Sequence, residues 1–166
     1  MHRFRAAVLA AVIAAAGSAP AFGQGATAAK VDASVRRIFG AGAQAVVHTV
    51  GSDTVLRVSR ADSLLGFAVV RNVKGKDQPI TFLVAVDSGN VLKDVDVLVY
   101  RESYGGEVAY DAWRRQFRGK SASDPLQVGR DIRTISGATI SVNAVTLGVR
   151  RALADLTTWH TMGAIR

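Results

Sequence analysis

From Asp53 to about Glu102 the chain abandons helical spacing. TVLRVSR alternates apolar and polar residues, and LLGFAVVRNV, PITFLVAVD and VLKDVDVLVYRES are dense in Val, Ile, Leu and Phe. Such residues at a period of two fit a pleated, half-buried surface. The runs are separated by VKGKDQP and DSGN, both turn sequences, and DSGN between two strand-like runs signals a hairpin. Short turns make consecutive strands antiparallel. The stretch therefore predicts three or four antiparallel strands over about residues 53–102. Along VDVLVYRES, Val95, Val97 and Val99 fall on one face and Asp96, Leu98 and Tyr100 on the other. Asp94 and Asp96 read as solvated side chains.

Helical patterns flank this stretch. VDASVRRIFG sets Val31, Val35, Ile38 and Phe39 at helical spacing, with Asp32 or Ser34 as a cap and Gly40 and Gly42 past its end. YDAWRRQFRGK places Tyr110, Trp113 and Phe117 at i, i+3 and i+7, one face of a short helix. SVNAVTLGVRRALADLTTW carries a continuous stripe of Val142, Val145, Val149, Ala152, Leu153 and Leu156, with Arg150 and Arg151 beside it. Helix, meander, helix, loop, helix is an α+β order: one domain, an antiparallel sheet of three to four strands with helices packed on it.

The first residues read as a processing segment. Arg3 and Arg5 precede an apolar run from Ala6 to Ala16, and Ala19-Pro20-Ala21 supplies an A-x-A site. The run is short for a span, which needs about 20 residues. Residues 1–23 are expected to be a signal peptide, 24–30 a linker and 31–166 the domain. The chain would be exported, periplasmic or extracytoplasmic, and associated with a membrane. It has no cysteine, which excludes iron–sulfur clusters, thiolate zinc sites and c-type haem attachment. Any redox chemistry must come from an organic cofactor or from outside the chain. The formal charge of +8 is scattered, with no block of five like charges. It suits a soluble basic surface, or attraction to anionic lipid, an acidic partner or a phosphorylated ligand. Nucleic acid is not expected as a partner, since no stacking-aromatic pattern is present. His48 and His160 have no metal spacing.

The densest functional signal is DIRTISGATIS, at the entry to the last helix. A helix start leaves backbone N–H groups unpaired at the positive end of the dipole, where phosphate is a natural guest. Gly137 and Ala138 let an anion approach closely; Ser136, Thr139 and Ser141 add hydroxyls; Arg130 or Arg133 supplies charge. The residue types alone favour an ordinary helix cap, because Ser and Thr caps are nearly universal and phosphate sites are not.

Asp131-Ile132-Arg133-Thr134-Ile135-Ser136-Gly137-Ala138-Thr139 resembles the flavinylation motif of the FMN-binding domain family, found in the small flavin subunits of the sodium-translocating NADH:quinone reductase and its Rnf relatives. The family pattern is an aspartate, a spacer, then Ser/Thr-Gly-Ala-Ser/Thr. Glu102-Ser103-Tyr104-Gly105-Gly106 and Trp113-Arg114-Arg115-Gln116-Phe117 resemble the family's glycine turn and aromatic helix, although the turn lacks the Pro-Gly-x-Gly form of many relatives. The resemblance spans about residues 90–155. It implies that a flavin transferase places FMN on Thr139 as a phosphoester, with Asp131 in the recognition sequence. Glu102, Tyr104 and Gly105 would lie near the cofactor, with Tyr104, Tyr110 or Trp113 available for stacking; core packing is the expected role of Trp113 and Phe117. The implied function is an exported electron carrier exchanging electrons between a membrane donor and an extracytoplasmic acceptor, not a stand-alone enzyme. The alternative is a module holding FMN or another phosphate ligand noncovalently, as a sensor or assembly subunit. A flavin-dependent reductase would need a further catalytic domain.

Overall fold

The computed structural model describes Ala26 and residues 28–166. The signal peptide read at 1–23 lies outside the described residues, as do residues 24, 25 and 27 of the expected linker. Helix α1 spans Ala28–Phe39, so its first turn takes up residues 28–30 of that linker. It ends where Gly40 enters the left-handed region at φ 98° and donates its N–H to the Arg36 carbonyl.

The sheet has five strands: β1 Gln44–Val50, β2 Asp53–Arg60, β3 Ser63–Lys74, β4 Pro79–Asp87 and β5 Leu92–Val99. They lie in chain order, every neighbouring pair antiparallel. The class is α+β, with one strand more than the expected three to four. The addition is β1, which precedes the expected start at residue 53. As an edge strand it buries little: Ala45 and Val47 pack inward while Val46 is 53% exposed. It therefore lacks the dense apolar run of the inner strands. The DSGN turn forms as read, with the Asp87 carboxylate accepting from the N–H groups of Gly89 and Val91 and Asn90 in the left-handed region.

Alternation along the strands gives the sheet two apolar faces. Phe67, Val69, Phe82, Val84 and Val95 point to one face, under helix α3 (Thr139–Thr161) and its stripe of Val142, Val145, Val149, Leu153 and Leu156. Leu56, Ala68, Leu83 and Ala85 point to the other, under Val31, Val35 and Phe39 of α1. The closest approach of α3 is at Gly148. A Cβ there would stand 2.6 Å from both Phe82 Cζ and Val73 Cγ1.

Two corrections concern β5. Its pairing slips between Thr81 and Phe82, where Val99 and Val97 are the successive partners and Leu98 is the extra residue. Such a bulge inverts the alternation beyond it. Tyr100 consequently packs toward α3 and not beside Asp96. Asp94 is buried, 3% exposed, and not solvated. It meets Arg37 of α1 at 2.8 Å, Arg118 at 3.1 Å and Arg114 at 3.6 Å; Asp96 adds contacts to Arg37 and the Ser34 hydroxyl. Arg114 belongs to the one-turn helix α2, Asp111–Arg114, flanked by 3-10 turns at Gly106–Ala109 and Arg115–Phe117. Trp113 and Phe117 are core residues in edge-to-face contact at 5.2 Å, as read. Tyr110 is 64% exposed, because the single helical turn begins only after it.

This packing makes two features testable. Gly148→Val should destabilise the fold by about 3 kcal/mol through overpacking and lost helix propensity, read as the shift in urea midpoint; an unchanged midpoint would contradict the close helix–sheet contact. The other feature is the response to acid. Burial pushes the Asp94 carboxyl up, but the guanidinia of Arg37 and Arg118, the Val95 N–H and the charge of Arg114 outweigh it and hold it below its ordinary value. A depressed folded-state value means that the stabilisation is complete above the unfolded value, roughly 3.9, and is lost as pH falls through the folded one. Stability should drop steeply below about pH 4, and Asp94→Asn should flatten that limb while costing about 3 kcal/mol at neutral pH.

Candidate functional site

Helix α3 begins without a cap. Ser136, the residue best suited to the task, makes no hydrogen bond to the helix, and no side chain does. A turn delivers the chain instead. The Ala138 N–H donates to the Ile135 carbonyl at 3.0 Å, Gly137 sits at φ 79°, and the ladder starts with Val142 N–H on the Ala138 carbonyl at 2.9 Å. The first-turn N–H groups of Thr139, Ile140 and Ser141 are therefore left to the surroundings, at the positive end of a 23-residue helix. Thr139 is exposed, and the space over Gly137 is open, since a Cβ added there would meet nothing within 4 Å.

These atoms form one wall of a groove of about 330 Å³. The opposite wall is the β3–β4 turn with Lys76 and Asp77, and Glu102 joins the two. The Glu102 carboxylate accepts from the N–H groups of Asp77 at 2.9 Å and Gln78 at 3.1 Å. Those bonds, led by that from Gln78, hold it below the ordinary carboxylate range against a smaller opposing effect of burial. Gly75 is required by this clamp: a Cβ there would lie 2.2 Å from Glu102 Oε1. Tyr104 stands at the rim, 82% exposed.

A hydrogen-bonded chain supports the floor. The Tyr100 hydroxyl donates to the Tyr104 carbonyl and lies 2.9 Å from Ser141 Oγ. Burial raises the phenol, the Ser141 bond opposes this, and the Glu102 and Glu107 carboxylates add to the rise, so the hydroxyl keeps its proton. Gly105, at φ 86°, is wedged beneath, where a Cβ would lie 2.7 Å from that hydroxyl and 2.9 Å from Ser141 Oγ.

The residues singled out in the sequence thus divide. Glu102, Tyr104, Gly137, Ala138, Thr139 and Ser141 line the groove; Gly105 lies under it; Ser136 is exposed on the turn outside the lining. The Ser141 hydroxyl is buried against Tyr100 and serves the floor. Asp131 lines a second groove, of about 720 Å³, with Arg130 and Arg133. Burial pushes its carboxyl up, but the Gln127 N–H, Lys120 and the Leu126 N–H together hold it below the usual range. It accepts from Gln127 N at 2.8 Å and Leu126 N at 3.1 Å, with Lys120 at 2.9 Å, and so shapes the loop that leads to Ser136. The cation of the smaller groove is Lys76, which sequence reasoning does not single out. Its only local signal is a turn, VKGKDQP, and that turn, held by Glu102, places it in the same groove as Thr139.

Residues 75–154 match the sequence model of the FMN-binding domain family. The chain is also similar to one component of the proton-translocating ferredoxin:NAD(+) oxidoreductase complex of Clostridium ljungdahlii, 32% identical over 108 residues. That alignment covers 60% of this chain and 58% of the relative, so the chain spans well under two thirds of the relative's length.

The clamp is directly testable. In Glu102→Ala, amide hydrogen exchange at Asp77 and Gln78 should quicken by roughly tenfold while the exchange of β4 is unaltered. Unchanged protection at both amides would show that the carboxylate does not hold the turn.

Proposed function

The chain belongs, over residues 75–154, to the FMN-binding domain family, and on that premise we propose that it carries FMN covalently on Thr139 and works as an exported electron-transfer subunit of a membrane complex. The observation that carries this reading is an exposed threonine as the first residue of an uncapped helix, two residues after a glycine with open space above it.

The residues present suit a phosphoester of FMN. Thr139 Oγ1 would be the ester oxygen. The first-turn N–H groups and Lys76 would face the phosphate oxygens, and Gly137 leaves their approach clear. Bound FMN supplies an isoalloxazine that accepts and releases electrons, chemistry that the side chains lack. Tyr104, at the rim, offers an exposed aromatic face for it. Glu102 acts indirectly by fixing the turn that bears Lys76. Attachment through phosphate leaves the ring free to react.

The shape of the groove favours covalent over reversible retention. Sites that hold ligands of this size noncovalently bury about 70–90% of their surface. Here Tyr104, Thr139 and Ile140 stand exposed around the groove. A covalent bond keeps a cofactor in such an open place. An exposed acceptor is also what a flavin transferase would need to reach.

The leader-like first residues support export, and the likeness to a component of a proton-translocating oxidoreductase complex supports a membrane partner. Among the described residues no helix is long and apolar enough to cross a membrane, so attachment would come from that partner or from other parts of the protein.

Intact-mass measurement tests the acceptor. Coexpressed with a flavin transferase and exported, the protein should gain the mass of one FMN less one water, and Thr139→Val should gain nothing. A yellow protein of unmodified mass would instead establish the noncovalent module. Retention of the added mass in Thr139→Val would move the acceptor to another hydroxyl.

A further inference from the structure

The larger groove, of about 720 Å³, lies on the other side of the turn that presents Thr139. Arg115 borders it from the 3-10 turn after α2, and Arg130 and Arg133 from the opposite loop. Among the described residues none of these three guanidinia is paired with an acid, and all three residues are exposed. The contrast with their neighbours in sequence is sharp: Arg114 and Arg118 are committed to Asp94. Two carboxylates also line the groove. Asp131 is neutralised by Lys120 and bound to two backbone N–H groups, which leaves Glu107 alone to oppose the three cations.

The floor rests on the apolar core. Ile132 and Trp113 are buried in it. The Trp113 indole N–H donates to the Arg133 carbonyl at 2.8 Å, and the Arg133 N–H donates to Gln116 Oε1 at 2.8 Å, tying the loop to the turn after α2. Tyr110 adds an exposed ring. A concave, pre-formed site with an apolar floor, an aromatic edge and unpaired guanidinia is how proteins seat an acidic chain. A flat bilayer meets convex surfaces before it reaches such a floor. A small inorganic anion would occupy little of the volume, since one water takes only about 30 Å³.

We propose that this groove docks an acidic polypeptide segment of the protein that exchanges electrons with the site at Thr139. The inference rests on the electron-transfer reading above for the partner's role, but the docking chemistry is independent of it. Thr134 and Ile135 of the groove run directly into Ser136–Thr139, so a segment seated there lies beside the attachment point. Unpaired guanidinia facing carboxylates accelerate encounter and fix orientation, and both effects weaken with salt.

The test uses an acetyl-capped hexaglutamate peptide as probe and nitrogen-15 NMR of the purified chain, in low salt and in high salt. Saturable shifts should centre on Tyr110, Arg115, Arg130 and Arg133 and vanish in high salt. R115Q/R130Q/R133Q should weaken binding by roughly tenfold or more, whereas R150Q/R151Q, on the solvent face of α3, should not. The same spectra report whether each variant is folded, and Arg130→Gln alone, with a smaller loss, stands in if the triple variant is not. Binding should persist in Thr139→Val, so a failure of flavin attachment would leave this result intact. Shifts spread equally over Arg101, Arg150 and Arg151 would overturn the proposal, as would unchanged binding in the triple variant. It would also be overturned by titrations in which phosphatidylglycerol vesicles or free FMN engage the groove and the peptide does not.

Discussion

The packing of one helix on one sheet face sets the position of everything at the site. Helix α3 lies on the sheet through Val142, Val145, Val149, Leu153 and Leu156, with Gly148 bringing its axis close over Phe82 and Val73. Because the helix is fixed along this length, its first residue is fixed too. Thr139 is held one turn beyond the buried stripe, level with the β3–β4 turn, without needing a contact of its own. An uncapped helix end is tolerated because the stabilisation comes from the apolar face and not from the terminus.

The glycine turn after β5 completes this arrangement. Tyr100 leaves the sheet toward α3 only because the bulge at Leu98 turns it over, and its hydroxyl then links the backbone at Tyr104 to Ser141. Two residues on, Glu102 reaches across to the β3–β4 turn. One short stretch thus fastens both walls of the smaller groove. On the other face, with no cysteine available, the ion cluster around Asp94 ties α1, α2 and β5 together. The backbone of Gly119 and Lys120 pairs with Leu92 at the outer edge of that strand.

Local patterns in the sequence foretell the elements that depend on local patterns. The stripe of α3 and the DSGN hairpin are periodicities and turn chemistry within a few residues, and both form as read. The failures share a different cause. A bulge at Leu98 is invisible in a run of alternating valines, so strict alternation puts Tyr100 on the wrong face. Asp94 looks like any strand-edge carboxylate until arginines from α1 and from the stretch around α2 close around it. Gln44–Val50, exposed along an edge, carries too weak an apolar signal to announce a strand. At the site, SGATIS is legible as a helix entrance with room for an anion, whereas Lys76 is recruited from 63 positions before Thr139 by a carboxylate clamp that no local spacing encodes. Asp131 and Thr139 sit eight residues apart in sequence yet line different grooves, because the carboxylate is turned back onto Leu126, Gln127 and Lys120.

The proposed function turns on the chemical state of one phosphate, and phosphorus-31 NMR of the flavin-loaded protein reads that state directly. A monoester titrates near pH 6, whereas a diester through Thr139 has no ionisation there. A protein-bound resonance that holds its position between about pH 5 and 8, on either side of that monoester ionisation, and persists after denaturation and removal of small molecules, is the result expected for covalent attachment at the start of α3. A resonance that titrates across that range, or is washed away on unfolding, would contradict it.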